Sequence, residues 1–142
     1  MRGRHVLIAV DDTPGARRTL LSGLAHAAAE GAEVTVLHVV EPQRWRVARL
    51  GPVRAVPARL RDPLSSPVLR DARRLGFDRG LCPRLELIAT DDVDRTIIAR
   101  ARRLNADAIV VGAGRPESLA APLGVCQGVL RHSAVPVVVV PG

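Results

Sequence analysis

The sequence predicts an α/β domain, a parallel β-sheet with helices on both faces. Strand-length apolar runs alternate with segments of helical spacing, the pattern of repeated β–α–β units with right-handed crossovers. The apolar runs are near-continuous, as strands covered on both faces require. The run Ala108-Ile109-Val110-Val111 also passes directly into Gly112-Ala113-Gly114. A strand, a glycine turn and a following helix N-terminus are the parts of a phosphate site. Glycine admits close backbone approach, and the first helical N–H groups are free. A tight strand-to-helix turn with no ligand accounts for the same glycines.

Residues 4–10 form the first strand, which ends at Asp11-Asp12. Thr13-Pro14 reads as an N-cap followed by proline at the first helical position. Leu20, Leu21, Leu24, Ala27 and Ala28 recur at helical spacing, and Gly31 stops that helix. Glu33 to Val40 is the second strand, closed by Pro42. Residues 44–63 hold three prolines and no clean period, so a loop is expected there. Ser66-Pro67 opens the next helix, with Val68, Leu69, Ala72 and Leu75 on one face and Gly76 after it.

Arg84 to Ala89 is the third strand. Asp91, Asp92 and Asp94 fall in the first turn of the helix that follows, and Arg100, Arg102 and Arg103 in its last turns. Both placements suit the helix dipole. Val93, Ile97, Ala101 and Leu104 form its apolar stripe. Residues 107–111 make the fourth strand, a short helix runs from about residue 122 to His132, and residues 135–140 make the fifth strand. In such sheets ligands bind beyond the carboxyl ends of the strands, where the strand order reverses. If the first and fourth strands are neighbours, Asp11-Asp12 and the glycine turn meet there.

A chain of 142 residues suits a single domain, 1–142, with its own core. It has no run of about 18 apolar residues, so no membrane span is expected. Arg2, Arg4 and the apolar run behind them are cut short by Asp11-Asp12, too early for a secretory signal. A cytoplasmic protein is therefore expected. Cys82 and Cys126 are not in a C-x-x-C arrangement and are expected reduced and buried.

All basic charge is arginine, because lysine is absent. Between Gln43 and Gly80 ten arginines face three aspartates, which equals the whole net charge of +7. Basicity therefore belongs to one segment, whose first part, about 43–65, is the expected variable loop. Trp45 and Phe77 are the only aromatic residues, too few for base-stacking platforms, so nucleic acid is not the expected partner.

The histidines His5, His26, His38 and His132 are dispersed without metal-ligand spacing. His38, on an apolar strand, reads as a hydrogen-bonded core histidine. Adjacent aspartates at a strand end usually divide roles, one pointing to a site and one capping a helix. Asp11-Asp12 are read that way rather than as catalytic carboxylates. No nucleophile elbow or Cys/His arrangement is present, so no catalytic residue is expected.

Four segments taken in order resemble the universal stress protein family over nearly the whole chain. They are Val6-Leu7-Ile8-Ala9-Val10-Asp11, Val34-Thr35-Val36-Leu37-His38-Val39, Ala106-Asp107-Ala108-Ile109-Val110-Val111-Gly112, and the ending from Val129 to Val140. The resemblance implies a Rossmann-like five-stranded parallel sheet of order 3-2-1-4-5, helices on both faces, and dimerisation. It implies a stress-response regulator, in one branch binding ATP without efficient turnover.

The ATP-binding branch carries Gly, two residues, Gly, nine residues, then Gly followed by Ser or Thr. Gly114, nine residues and Gly124 match its second half. Its first half is one residue short, since Gly112 and Gly114 enclose only Ala113, and Val125 replaces the hydroxyl residue. The intervening loop carries Pro116, which lacks an N–H donor, and Glu117, whose charge opposes phosphate.

Carried over residue by residue, the resemblance implies a nucleotide site of Asp11 at the nucleoside and Val39 against adenine. Gly112, Gly114, Arg115, Gly124 and Val125 would lie at the phosphates. Thr90 stands where the family often has glycine and would crowd or hydrogen-bond a ribose. The expected ligand is ATP, ADP or AMP, with magnesium only alongside nucleotide. The expected homodimer pairs through Val137, Val138, Val139 and Val140, an apolar edge with unpaired main-chain groups. A dimerisation or interaction module that binds no nucleotide, and an arginine-driven polyanion binder, are the alternatives.

Overall fold

The computed structural model describes residues 3–41, 59–113 and 124–141. Its elements are β1 (His5–Val10), α1 (Ala16–Glu30), β2 (Glu33–Val40), β3 (Arg59–Arg61), a 3-10 turn (Pro63–Ser65), α2 (Pro67–Phe77), β4 (Arg84–Ala89), α3 (Val93–Arg103), β5 (Ala108–Gly112), α4 (Val125–His132) and β6 (Val137–Val140). Among the described residues the sheet has six strands in the order β3-β4-β2-β1-β5-β6. Five are parallel, and β3 pairs antiparallel with β4 at the edge.

The expectation of five strands in the order 3-2-1-4-5 is corrected by β3. The parallel strands keep that sequence among themselves, and an added strand lies outside the third of them. Arg59-Leu60-Arg61 falls inside the segment read as loop. It carries no apolar run because all three residues are exposed, so pairing with β4 makes it a strand rather than burial. Residues 42–58, which include most of that segment, lie outside the described residues.

Side chains alternate across each strand and feed two cores. Val6, Ile8 and Val10 of β1 pack with Leu20 and Leu24 of α1 and Leu69 and Ala72 of α2. Leu7 and Ala9 face the other way, toward Ile97 of α3 and Val129 of α4. Leu7, Ile8, Leu37, Ile109 and Val110 are all fully buried, each contributing roughly 1.5–3 kcal/mol. Two-sided burial is what the continuous apolar runs require.

Helix ends follow local chemistry, with corrections. Gly31 adopts φ 60° and closes α1, as its position predicts. The start of α1 is later than Thr13-Pro14 suggests: Gly15 is the N-cap and no side chain caps it. Thr13 is drawn instead into a turn with Asp11. Ser66 does cap α2, its Oγ accepting from Leu69 N–H at 3.3 Å. Gly76 lies within α2 rather than beyond it. Arg100 does more than suit the α3 dipole: it makes a bidentate pair with Glu86 of β4, at 2.8 and 2.6 Å.

Candidate functional site

The chain leaves β1 toward α1 on one face of the sheet, and after β5 it forms α4 on the other. These strands are neighbours, in register from Val6 with Ala108 to Ala9 with Val111. In sheets of this kind ligands bind beyond the carboxyl ends of two such strands.

Asp11 follows β1 directly. Its Oδ1 accepts from Thr13 N–H at 3.0 Å and also from the Thr13 hydroxyl. Oδ2 accepts no hydrogen bond among the described residues. The carboxylate thus caps a local turn and keeps one oxygen available. Neither Asp11 nor Asp12 caps α1, and both are exposed.

Gly112 ends β5, and Ala113 N–H donates to Val140 O at 2.8 Å. A Cβ on Gly112 would lie 2.9 Å from Thr19 Oγ1 of α1. A side chain at this position would therefore crowd Thr19, whatever the crevice holds. Gly124 precedes α4 with φ 23° and ψ 167°, a conformation side chains rarely adopt. It aims the first turn of α4, whose leading N–H groups have no partner within the helix. Val125 opens that turn and is 39% exposed.

Val39 is buried in the core facing α3 and α4, beside Ala9 and Val111. Thr90, at the end of β4, is buried too. Its N–H donates to Val40 O at 2.9 Å and its Oγ1 accepts from Asp92 N–H at 3.1 Å, so its hydroxyl serves the turn into α3. Asp11 thus follows β1 and Gly112 ends the neighbouring β5, while Gly124 and Val125 open α4. Gly114 and Arg115 lie outside the described residues.

The electrostatics of this end are uneven. Asp11-Asp12 follow β1, Glu41 follows β2 and Asp91-Asp92 follow β4, whereas uncharged Ala113 follows β5. His38 pairs in register with Val10 and is buried, its Nδ1 2.8 Å from Ser66 Oγ. It is a core histidine, as the sequence suggests. Burial lowers its pKa, and the charges of Asp12 and Asp11 oppose that shift in part. Cys126, in the first turn of α4, has a thiol pKa raised by burial. Both cysteines are free, but Cys82 is exposed rather than buried, because it sits in the turn before β4.

Among the described residues no group of three or more His, Cys, Asp or Glu side chains could hold a metal ion. No helix among them is long and apolar enough to cross a membrane. A cavity of about 590 Å³ lies at the amino ends of the strands, beside His5, Glu33 and Arg84.

A model of the universal stress protein family matches residues 3–141. The chain belongs to that family. No curated protein sequence matches it. Solved universal stress proteins share the fold. One from Archaeoglobus fulgidus, in complex with dAMP, is 18% identical with a TM-score of 0.68, covering 99% of each chain. Another, in complex with cAMP, is 21% identical with a TM-score of 0.71, covering 99% of this chain and 98% of its own. A family member from Burkholderia pseudomallei is 24% identical with a TM-score of 0.66, over 97% and 96% of the two chains.

Proposed function

We propose that this universal stress protein domain is a regulatory module that binds an adenine nucleotide between β1 and β5 without efficient turnover. It serves a stress response in the cytoplasm, as a homodimer paired through Val137, Val138, Val139 and Val140 of β6. The observation that carries the reading is the crossover itself: β1 and β5 are neighbours whose chains continue to helices on opposite faces, with Asp11 after the one and Gly112 at the end of the other. The dAMP and cAMP complexes of universal stress proteins of the same fold support it.

The residues suit a nucleoside with little phosphate. Asp11 Oδ2 would accept from the nucleoside, and Val39 would border the base. The phosphate would lie toward α4, where N–H groups are free, with Gly114 and Arg115 completing its surroundings. Asp12, Glu41 and Asp91 would repel a triphosphate that strayed toward β2. The hydroxyl that Val125 lacks would remove one phosphate contact, worth about 1 kcal/mol. AMP is therefore expected to bind at least as well as ATP, and magnesium only with a polyphosphate. Carboxylates around the crevice do nothing to stabilise charge on a transferring phosphoryl group, so at most slow hydrolysis is expected.

Val125 also favours a second reading. An exposed apolar side chain in place of a hydroxyl suits an interaction module that binds no nucleotide. Mass spectrometry of small molecules released from the purified chain, followed by native spectra after adding AMP, separates the two. A released adenine compound or a one-nucleotide mass increment supports nucleotide binding. Neither signal leaves the interaction module.

A further inference from the structure

We propose that the β3 edge is a docking strand for an extended acidic segment of a partner protein, with acidic residues alternating with apolar ones. β3 pairs with β4 on one side only, and no other described strand flanks it. Alternate residues of an antiparallel strand turn both N–H and C=O to the same side. Among the described residues its outer side therefore displays donors and acceptors together, which another strand satisfies and phosphate groups, acceptors only, do not.

The side chains sort by face. Arg61 stands opposite Leu87, which packs in the core under α1 and α2. Leu60 stands opposite Ile88, which packs under α3 and α4. Directly opposed residues share a face, so Arg59 and Arg61 stand on the α2 face and Leu60 on the other. Leu60 is 78% exposed, the most exposed of the large apolar side chains among the described residues. The side chains of Arg59 and Arg61 make no hydrogen bond or ion pair among the described residues.

This arrangement decides the class of partner. Cationic and apolar side chains lie on opposite faces of one strand, so a flat lipid surface or a DNA backbone meets one set and misses the other. A strand laid alongside meets both. Arg59 and Arg61 are two strand residues apart, roughly 6.5 Å, which is the repeat of alternate carboxylates on an extended peptide. The residue between those carboxylates would cover Leu60. On the α2 face, exposed Arg70, Arg73 and Arg74 extend the positive field; Arg70 also donates to Leu64 O at 2.7 Å, and Arg74 lies 3.4 Å from Asp71. That field steers an acidic chain without setting its register.

The test is fluorescence anisotropy with a labelled peptide of alternating glutamate and valine. The comparison probes are a peptide of equal composition with its glutamates clustered, double-stranded DNA, and phosphatidylserine vesicles. The alternating peptide should bind about fivefold or more tightly than the clustered one, since register-specific cross-strand pairs distinguish them. Arg59→Ser/Arg61→Ser and Leu60→Pro should each remove that preference. Arg73→Ser should lower both peptides' affinities equally. Circular dichroism checks that each variant is folded. Equal binding of the two peptides, an unchanged preference in Arg59→Ser/Arg61→Ser, or tighter binding of DNA or vesicles through these arginines overturns the proposal. None of these outcomes depends on nucleotide in the crevice.

Discussion

His38 Nδ1 of β2 lies 2.8 Å from Ser66 Oγ, and the same oxygen accepts from Leu69 N–H to cap α2. A buried titratable ring is thus tied to the start of a helix. Its folded-state pKa is below the ordinary 6.5 because burial disfavours the imidazolium. Below that value the unfolded chain binds more protons than the folded one. Stability should therefore be full above about pH 6.5 and decline as pH falls through the lowered pKa. His5, lowered by burial as well, acts in the same direction. Thermal melts between neutral pH and pH 5 should show the decline, and His38→Gln should flatten it. A melt that stays constant over this range contradicts the assignment.

Ser66→Ala should destabilise the fold by about 1–2 kcal/mol, because it removes a helix cap and strips a buried histidine of its partner. Urea denaturation reads this directly. A loss no greater than that of an exposed serine such as Ser65 would deny the cap its role.

Gly112→Ala should cost about 1–3 kcal/mol, since its methyl would crowd Thr19 Oγ1. Thr19→Ala in the same chain should recover most of that loss by removing the crowded atom. Failure of the second change to compensate would place the strain elsewhere.

The Arg100–Glu86 pair is largely sheltered, with side chains 27% and 12% exposed. Arg100→Met should cost roughly 1.5–3 kcal/mol by leaving Glu86 without its charged partner. The Arg100→Met/Glu86→Leu double variant should lose less than the single one. Chemical denaturation of the native chain, Arg100→Met, Glu86→Leu and the double variant forms the cycle, and additive losses would show that the pair is not coupled.

Val139 is 36% exposed on β6, the edge strand proposed to pair two copies. Val139→Arg should shift a dimer toward monomer in sedimentation while leaving the circular dichroism spectrum intact. A native chain that sediments as a monomer at high micromolar concentration excludes pairing through this edge.

Much of the fold is legible because the buried strands need continuous apolar runs. Val34 to Val39 and Ile109 to Val111 could be little else. β3 is not legible: Arg59-Leu60-Arg61 gains its structure from β4, and nothing in its own composition records that. The start of α1 is misread for a similar reason, since Asp11 takes the Thr13 groups that a helix cap would use. The site is legible only in part. Asp11, Gly112 and Gly124 stand out by type and spacing, but the demand of Thr19 on Gly112 comes from packing of distant segments. The bond from Arg100 to Glu86 joins residues whose charges look merely surface-like in sequence.

Isothermal calorimetry with AMP, ADP and ATP, each with and without magnesium, tests the central claim most directly. The account predicts one site per chain, AMP at least as tight as ATP, and a loss of roughly tenfold in Asp11→Ala, the cost of a charge-assisted hydrogen bond. No heat from any of the three at millimolar concentration, or equal binding by native chain and Asp11→Ala, would contradict it.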